Sequence, residues 1–274
     1  NIFIFSIKMT QLIAEIGWNH MGDLNLAKEM IFAAKENGAD YAKFQTWSVK
    51  NLKPGPWDND GRKEIYEKAE LSINDHQTLM KCCEKNNISF LSSVFSIPDA
   101  KILIDLGCEI VKIPSFESRN HELISFCDNN FKTIIMSSGT STFDEVSESI
   151  NKIINADLYL MHCVSIYPQD YSEANLPKMK KLMSICDKVG LSDHIEGVES
   201  SKVAVGEGAV IIEKHFTIDK NLPGRDNKFA ILPEQLKDLT DFIKNRELMF
   251  NNLGLGYNEK ENDSRINYTG RFNG

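Results

Sequence analysis

The sequence predicts a (β/α)8 TIM barrel, and three observations carry that expectation. Short β-branched or apolar runs alternate with amphipathic stretches from Leu12 to about Asn252 with no linker between them. Eight such runs can be counted, each followed by a helical pattern, and this closes more economically into a barrel than into an open sheet. The length of 274 residues suits one such barrel. A prior of about 150 residues per domain would also admit two domains, so a doubly wound sheet is the alternative.

Taken in order, the first strand falls at residues 12–16 and its helix at 26–37, which Gly38 ends. The second strand, 41–45, is followed by a long connection, 46–74, rich in Trp, Pro, Gly and Asp, before a helix at 75–86. The third strand at 89–92 leads to a helix at 98–106, stopped by Gly107. The fourth, 110–113, precedes a helix at 122–129; the fifth, 133–137, precedes one at 142–154 that opens on the capping box Thr142-Phe-Asp-Glu145. After the sixth strand, 158–162, a second long connection, 163–176, carries Tyr167-Pro168, and Pro177 suits the first turn of a helix at 177–186. Strands at 188–192 and 210–215 flank a helix at 198–206, and Pro233 opens a closing helix at 233–252. Residues 1–11 form an N-terminal extension, 12–252 the barrel, and 253–274 a polar, Asn-rich tail expected to hold little structure.

Composition narrows the function. The formal charge is −8 and the isoelectric point about 5.4, with no basic tract, so nucleic acid is not an expected partner. The six cysteines contain no CxxC pair, which points to a reduced, cytoplasmic chain. The apolar opening, residues 1–8, is too short for a signal peptide or a membrane span, and translation is expected to start at Met9.

In a barrel, chemistry gathers where strands run into their following loops. Those positions are polar here: Glu15, Asn19 and His20; Lys43 and Gln45; Ser92 and Ser93; Lys112, Ser115 and Glu117; Ser137 and Ser138; His162 and Tyr167; Ser192, Asp193 and His194; Glu213, Lys214 and His215. Lys43 and Lys112, left unpaired in a barrel wall, would cost several kcal/mol each, so an anion is expected beside them. A phosphate and a carboxylate suit two lysines ringed by serines, and ion pairs with Glu15, Glu117 or Asp193 are the structural alternative. His194 and His215 end neighbouring strands and could converge on a divalent metal with Asp226 nearby, or each could be a hydrogen-bonded structural histidine. Ser138-Gly139-Thr140 is a weak candidate phosphate cradle before a helix N-terminus. His20 and His162 are candidate pocket-wall donors, His76 and His121 are expected to be solvated, and Cys163 reads as a buried thiol.

Five strings, Ile13-Ala-Glu-Ile-Gly-Trp-Asn-His-Met-Gly22, Lys43-Phe-Gln-Thr46, Lys112-Ile-Pro-Ser-Phe-Glu117, Gly190-Leu-Ser-Asp-His194 and Glu213-Lys-His-Phe-Thr217, together resemble the sialic acid synthase family. That family condenses phosphoenolpyruvate with a hexosamine-type aldose, such as N-acetylmannosamine, to give a nine-carbon 2-keto acid. The resemblance implies that His194 and His215 hold a divalent metal, usually Mn²⁺. It implies that Lys43, Lys112, Ser115, Ser137 and Ser192 bind phosphoenolpyruvate, and that Glu15, Glu117, Ser93, Tyr167 and Asp226 contact the sugar, the water or the reacting centre. Trp18 and Met21 depart from the family's usual Ile-Asn-His-Asn-Gly, which makes Trp18 a candidate selector of the acceptor sugar. Family members usually carry a C-terminal antifreeze-like domain that reaches into a partner subunit, and this chain reads as the barrel without it. A homodimer remains possible. A Schiff-base aldolase using Lys43 or Lys112, and a non-catalytic sugar- or phosphate-binding barrel, are the competing readings.

Overall fold

Eight parallel strands pair in chain order, and the last returns to the first, so the sheet closes on itself. The computed structural model describes residues 10–273; the predicted apolar opening and the start at Met9 lie outside the described residues. The strands are β1 (Gln11–Glu15), β2 (Tyr41–Thr46), β3 (Ser89–Val94), β4 (Ile110–Ile113), β5 (Thr133–Ser137), β6 (Asp157–Cys163), β7 (Val189–Asp193) and β8 (Ile211–His215). Their helices are α1 (Leu24–Glu36), α2 (Arg62–Ala69), α3 (Ile73–Lys85), α4 (Ile97–Asp105), α5 (His121–Asn130), α6 (Phe143–Ile150), α7 (Leu176–Leu182), α8 (Glu199–Gly206), α9 (Pro233–Met249) and α10 (Asn262–Asn267).

Local signals place the boundaries. Gly38 and Gly107 take positive φ just past α1 and α4, as helix-ending glycines should. The Thr142 hydroxyl and Glu145 carboxylate close the predicted capping box on α6. Two expectations need correction. The connection after β2 is not irregular throughout, because it folds into 3-10 turns at Val49–Asn51 and Pro56–Asp58 and then α2. The tail is not structureless either: a 3-10 turn at Glu259–Glu261, whose Asn258 side chain accepts from the Lys260 N–H, leads into α10.

Strand alternation divides the core in two. Ile13, Tyr41, Leu91, Ile135, Tyr159, Met161 and Ile211 point inward and fill the barrel's lower interior. The residues between them, such as Ala14, Phe44, Val111, Ile134, Leu160, Leu191 and Ile212, point outward and pack under the helices. Gly190 on β7 leaves no room for a side chain beside β8, since a Cβ there would sit 2.2 Å from the Ile211 carbonyl oxygen. Gly190→Ala is therefore expected to force the strands apart at a cost of about 1–3 kcal/mol. A thermal melt checks this, each kcal/mol lowering Tm by roughly 2–4 °C in a chain of this size; an unchanged Tm would mean that β7 and β8 separate freely.

Candidate active site

The same two-residue step that fills the lower barrel builds the site above it. From Ile13 it leads to Glu15, from Tyr41 to Lys43 and Gln45, from Leu91 to Ser93, and from Ile135 to Ser137. From Met161 it leads to Cys163, from Gly190 to Ser192 and His194, and from Ile211 to Glu213 and His215. All of these, with Lys112, line one cavity of about 1130 Å³ at the C-terminal ends of the strands. Loops add Trp18, Ser115, Glu117, Tyr167 and Asp226, so the structure brings together every residue to which the family resemblance assigns a role in the site.

The floor is a buried charge network. Lys43 Nζ lies 3.0 Å from Glu15 and 3.2 Å from Glu213, and donates to Ser93 Oγ at 3.1 Å. Lys112 Nζ donates to Ser137 Oγ at 2.6 Å and lies 3.8 Å from Glu213, which also accepts from the Ser192 hydroxyl at 2.9 Å. Both lysines are thus paired in part, by Glu15 as expected and by Glu213, which the candidate set omitted. Burial would raise Glu213, yet Lys112 and Lys43 overcome it and hold the carboxyl down at about 2. Glu15 goes the other way: burial, reinforced by Glu213 and only partly offset by Lys43, pushes it up to about 7. Two carboxyls sharing one lysine are therefore split, one fixed as an anion and one able to carry a proton near neutrality.

Beside this floor, the His194 and His215 rings lie 5.5 Å apart between centroids. His194 Nδ1–H donates to the Val164 carbonyl at 3.0 Å, which leaves Nε2 free to bind a ligand, the tautomer metal-binding histidines commonly adopt. His215 Nδ1 is buried with no hydrogen-bond partner among the described residues and stands 3.6 Å from Asp226 Oδ2. Burial and the nearby His194 and Lys43 charges hold His215 well below its ordinary value, hence neutral. Burial raises Asp226 to about 6. No three ligands stand preassembled among the described residues. His215, neutral with an unpaired buried nitrogen, and His194, whose Nδ1 is taken up by Val164, stand beside a carboxylate and nevertheless fit a divalent cation that keeps open positions for other oxygens.

Tyr167, before a cis proline, lays its ring 4.2 Å from that of His194. Ser115 and Glu117 share a 3-10 turn; Ser115 Oγ accepts from the Gly139 N–H, and Glu117 accepts from Asn120. At the rim Trp18 packs against Trp47 at 6.2 Å and Tyr66 at 5.3 Å, both from the segment after β2. Trp18 thus both borders the cavity and packs under that segment.

Other expectations fail. His20 and His162 do not line the cavity: His20 Nδ1 accepts from the Gly22 N–H, and His162 donates to the Ala174 carbonyl. His76 is fully buried, donating to Ser72 O and accepting from the Thr46 hydroxyl, and so fastens α3 to β2. The Ser138-Gly139-Thr140 cradle is spent internally, since Ser138 N–H goes to Met161 O and Gly139 N–H to Ser115. Met21 lies outside the cavity lining. Cys163 is the buried thiol expected, but it also faces the cavity 3.9 Å from His194 Nδ1, and His194, Ser115 and Lys112 outweigh burial to bring it down to about 7. Trp47 and Tyr66 were missed, and Glu213 stood among the polar strand ends without a role.

A barrel with its polar cavity at the C-terminal ends of the strands defines a (β/α)8 enzyme. The chain belongs to the NeuB family, whose profile matches residues 30–253. It is 37% identical over 255 residues to the N,N'-diacetyllegionaminic acid synthase of Campylobacter jejuni, covering 87% of this chain and 76% of that one. It is also 37% identical over 249 residues to the pseudaminic acid synthase of Helicobacter pylori, covering 85% and 73%. Among solved structures, the N-acetylneuraminic acid (sialic acid) synthetase of Leptospira borgpetersenii superposes with a TM-score of 0.85 at 30% identity, over 97% of this chain and 93% of that one. The chain is accordingly an acid synthase of the sialic, legionaminic and pseudaminic type. No helix among the described residues is long and apolar enough to cross a membrane.

Proposed function

We propose that this enzyme condenses phosphoenolpyruvate with an amino-sugar aldose and water, giving a nonulosonic acid and phosphate. The observation that carries this reading is the juxtaposition, in one cavity, of a lysine and serine floor suited to an anion with a histidine pair suited to a divalent metal, Mn²⁺ by preference. Lys43 and Lys112, with Ser93, Ser115, Ser137 and Ser192, hold the phosphate and carboxylate of phosphoenolpyruvate. His194 and His215 would hold the metal, with Asp226 beside them; when bound, it supplies Lewis-acid polarisation of the aldose carbonyl.

The reaction joins C3 of the enol phosphate to the aldehyde carbon, whose oxygen takes up a proton. Positive charge then develops at C2, where Glu117 and the fixed Glu213 anion oppose it. Water adds at C2, and the C2–O bond to phosphate breaks. Glu15, with its proton available near neutrality, and Asp226 are the groups placed to move protons during these steps. Tyr167 and the Trp18 rim face the sugar.

The direct test combines phosphoenolpyruvate, Mn²⁺ and a panel of acceptors: N-acetylmannosamine, its 6-phosphate and the diacetamido trideoxyhexoses. Phosphate release that depends on one of these sugars is the expected result. No release with any of them, together with a pyruvate adduct trapped by borohydride, would replace the proposal with a Schiff-base lyase. Acceptor choice is expected to respond to Trp18→Ile. Opening the rim beside Trp47 and Tyr66 should change relative kcat/KM among acceptors by about tenfold while leaving phosphoenolpyruvate KM near its original value. Loss of Tm with acceptor preference unchanged would make Trp18 purely structural.

A further inference from the structure

Alternation points Asp193 and Lys214 away from the cavity, into the layer between barrel and helices, where their strand neighbours Leu191 and Ile212 are apolar. Both charges are nevertheless almost wholly buried, and they pair at 3.2 Å across the register that joins β7 to β8. A buried ion pair contributes little stability that well-packed apolar side chains would not supply. What such a pair can supply is direction, and here its hydrogen bonds converge on one residue. Asp193 Oδ1 accepts from the Ile195 N–H at 3.1 Å, and Lys214 Nζ donates to the Ile195 carbonyl. Asp193 Oδ2 accepts from the hydroxyls of Ser200 and Ser201, both at 2.6 Å, which ties the arrangement to the first turn of α8.

The consequence falls on the histidines. His194 sits between Asp193 and Ile195, and the peptide that follows it is held at both ends, its N–H by Asp193 and its carbonyl by the Gln169 N–H at 3.2 Å. His215 directly follows Lys214. One buried pair therefore fixes the backbone after His194 and holds the side chain of the residue that precedes His215. We infer that Asp193 and Lys214, anchored by Ser200 and Ser201, are positioning residues that set the separation and aim of His194 and His215, and so the affinity of the site for a divalent cation. This rests on the reading of His194 and His215 as metal ligands.

Metal-free protein titrated with Mn²⁺ alone, free ion being followed by electron paramagnetic resonance, tests the inference without any turnover. The double variant Asp193→Leu/Lys214→Met replaces the pair with apolar groups of similar bulk, and is expected to keep its metal-free Tm within a few degrees of the wild type. Its Mn²⁺ Kd should rise by roughly ten- to a hundredfold, the range seen when the supports of metal ligands are removed. Should the double variant fail to fold, Ser200→Ala/Ser201→Ala keeps the pair but cuts its anchor, and a several-fold rise in Kd is then expected. The restoring variant Lys214→Arg, which keeps the charge and the bond to Ile195, should bind more tightly than Lys214→Met. Wild type and folded variants binding Mn²⁺ equally well would overturn the positioning role alone. A wild type that does not bind Mn²⁺ would overturn the metal reading, and this inference with it.

Discussion

Metal-free enzyme is expected to release no phosphate from phosphoenolpyruvate and acceptor, and Mn²⁺ should restore turnover. The expectation follows from His194, whose Nδ1 proton is committed to Val164 and whose Nε2 is thereby free, and from His215, a buried neutral imidazole with an unpaired nitrogen. A Lewis acid at a reacting carbonyl contributes several kcal/mol of transition-state stabilisation. At about 1.4 kcal/mol per decade, His215→Ala at saturating Mn²⁺ should lower kcat by about three orders of magnitude. His215 stands at the open end of the barrel, so its removal enlarges the cavity and leaves the apolar interior below it intact. Circular dichroism and Tm should stay near wild type. Full turnover in a preparation whose metal content is verified as negligible would defeat the prediction.

Much of this site could be read from the chain because the barrel ties function to strand ends, and strand ends follow from periodicity. Once 12–16 and 210–215 are taken as strands, Glu15 and His215 are neighbours, and the pairing of β1 with β8 places them side by side. The same step of two that leads from Ile211 to Glu213 would have marked Glu213 as inward-facing, and Cys163 likewise from Met161. Glu213 stood among the polar strand ends without a role and Cys163 was read only as a buried thiol, because both were weighed as residue types and not as register positions. What no periodicity carries is the packing of connections. The contacts of Trp47 and Tyr66 with Trp18 depend on how 3-10 turns and α2 fold the segment after β2 back over the barrel mouth. His76 was misjudged for a related reason: a histidine in a helix's first turn is usually wet, but here its ring meets the Thr46 hydroxyl, itself hydrogen-bonded to Ser92, which with the Ser72 carbonyl completes its hydrogen bonding. The tail helix α10 went unseen because its sequence is polar and has no apolar face toward the barrel.

Lys43→Ala and Lys112→Ala should each weaken phosphoenolpyruvate binding by roughly ten- to a hundredfold, the worth of one charge-assisted hydrogen bond of about 1.5–3 kcal/mol. Their effects on stability should differ, because the two lysines stand in different company. Lys43 lies between Glu15 and Glu213, whereas Lys112 is ion-paired among the described residues only with Glu213, which Lys43 still holds in the Lys112 variant. Removing Lys43 strips the nearest cation from two buried carboxyls at once, a loss of about 3–5 kcal/mol where a charge is left uncompensated. The pH dependence has a definite sign. Glu15 is raised from 4.5 to about 7 in the folded protein, so between those values the folded state binds the extra proton and stability falls as pH rises. Lys43 opposes that rise, so without it the Glu15 pKa moves higher and the decline extends above pH 7. Denaturant melts of both variants from pH 5 to pH 9 should therefore give a Lys43→Ala deficit that widens toward alkaline pH, removed when Glu15→Gln is added. The Lys112→Ala deficit should stay smaller and nearly flat. Parallel curves for the two variants would mean that Glu15 does not carry the neutral-pH proton, and the division of the two carboxyls into one fixed anion and one proton carrier would be wrong.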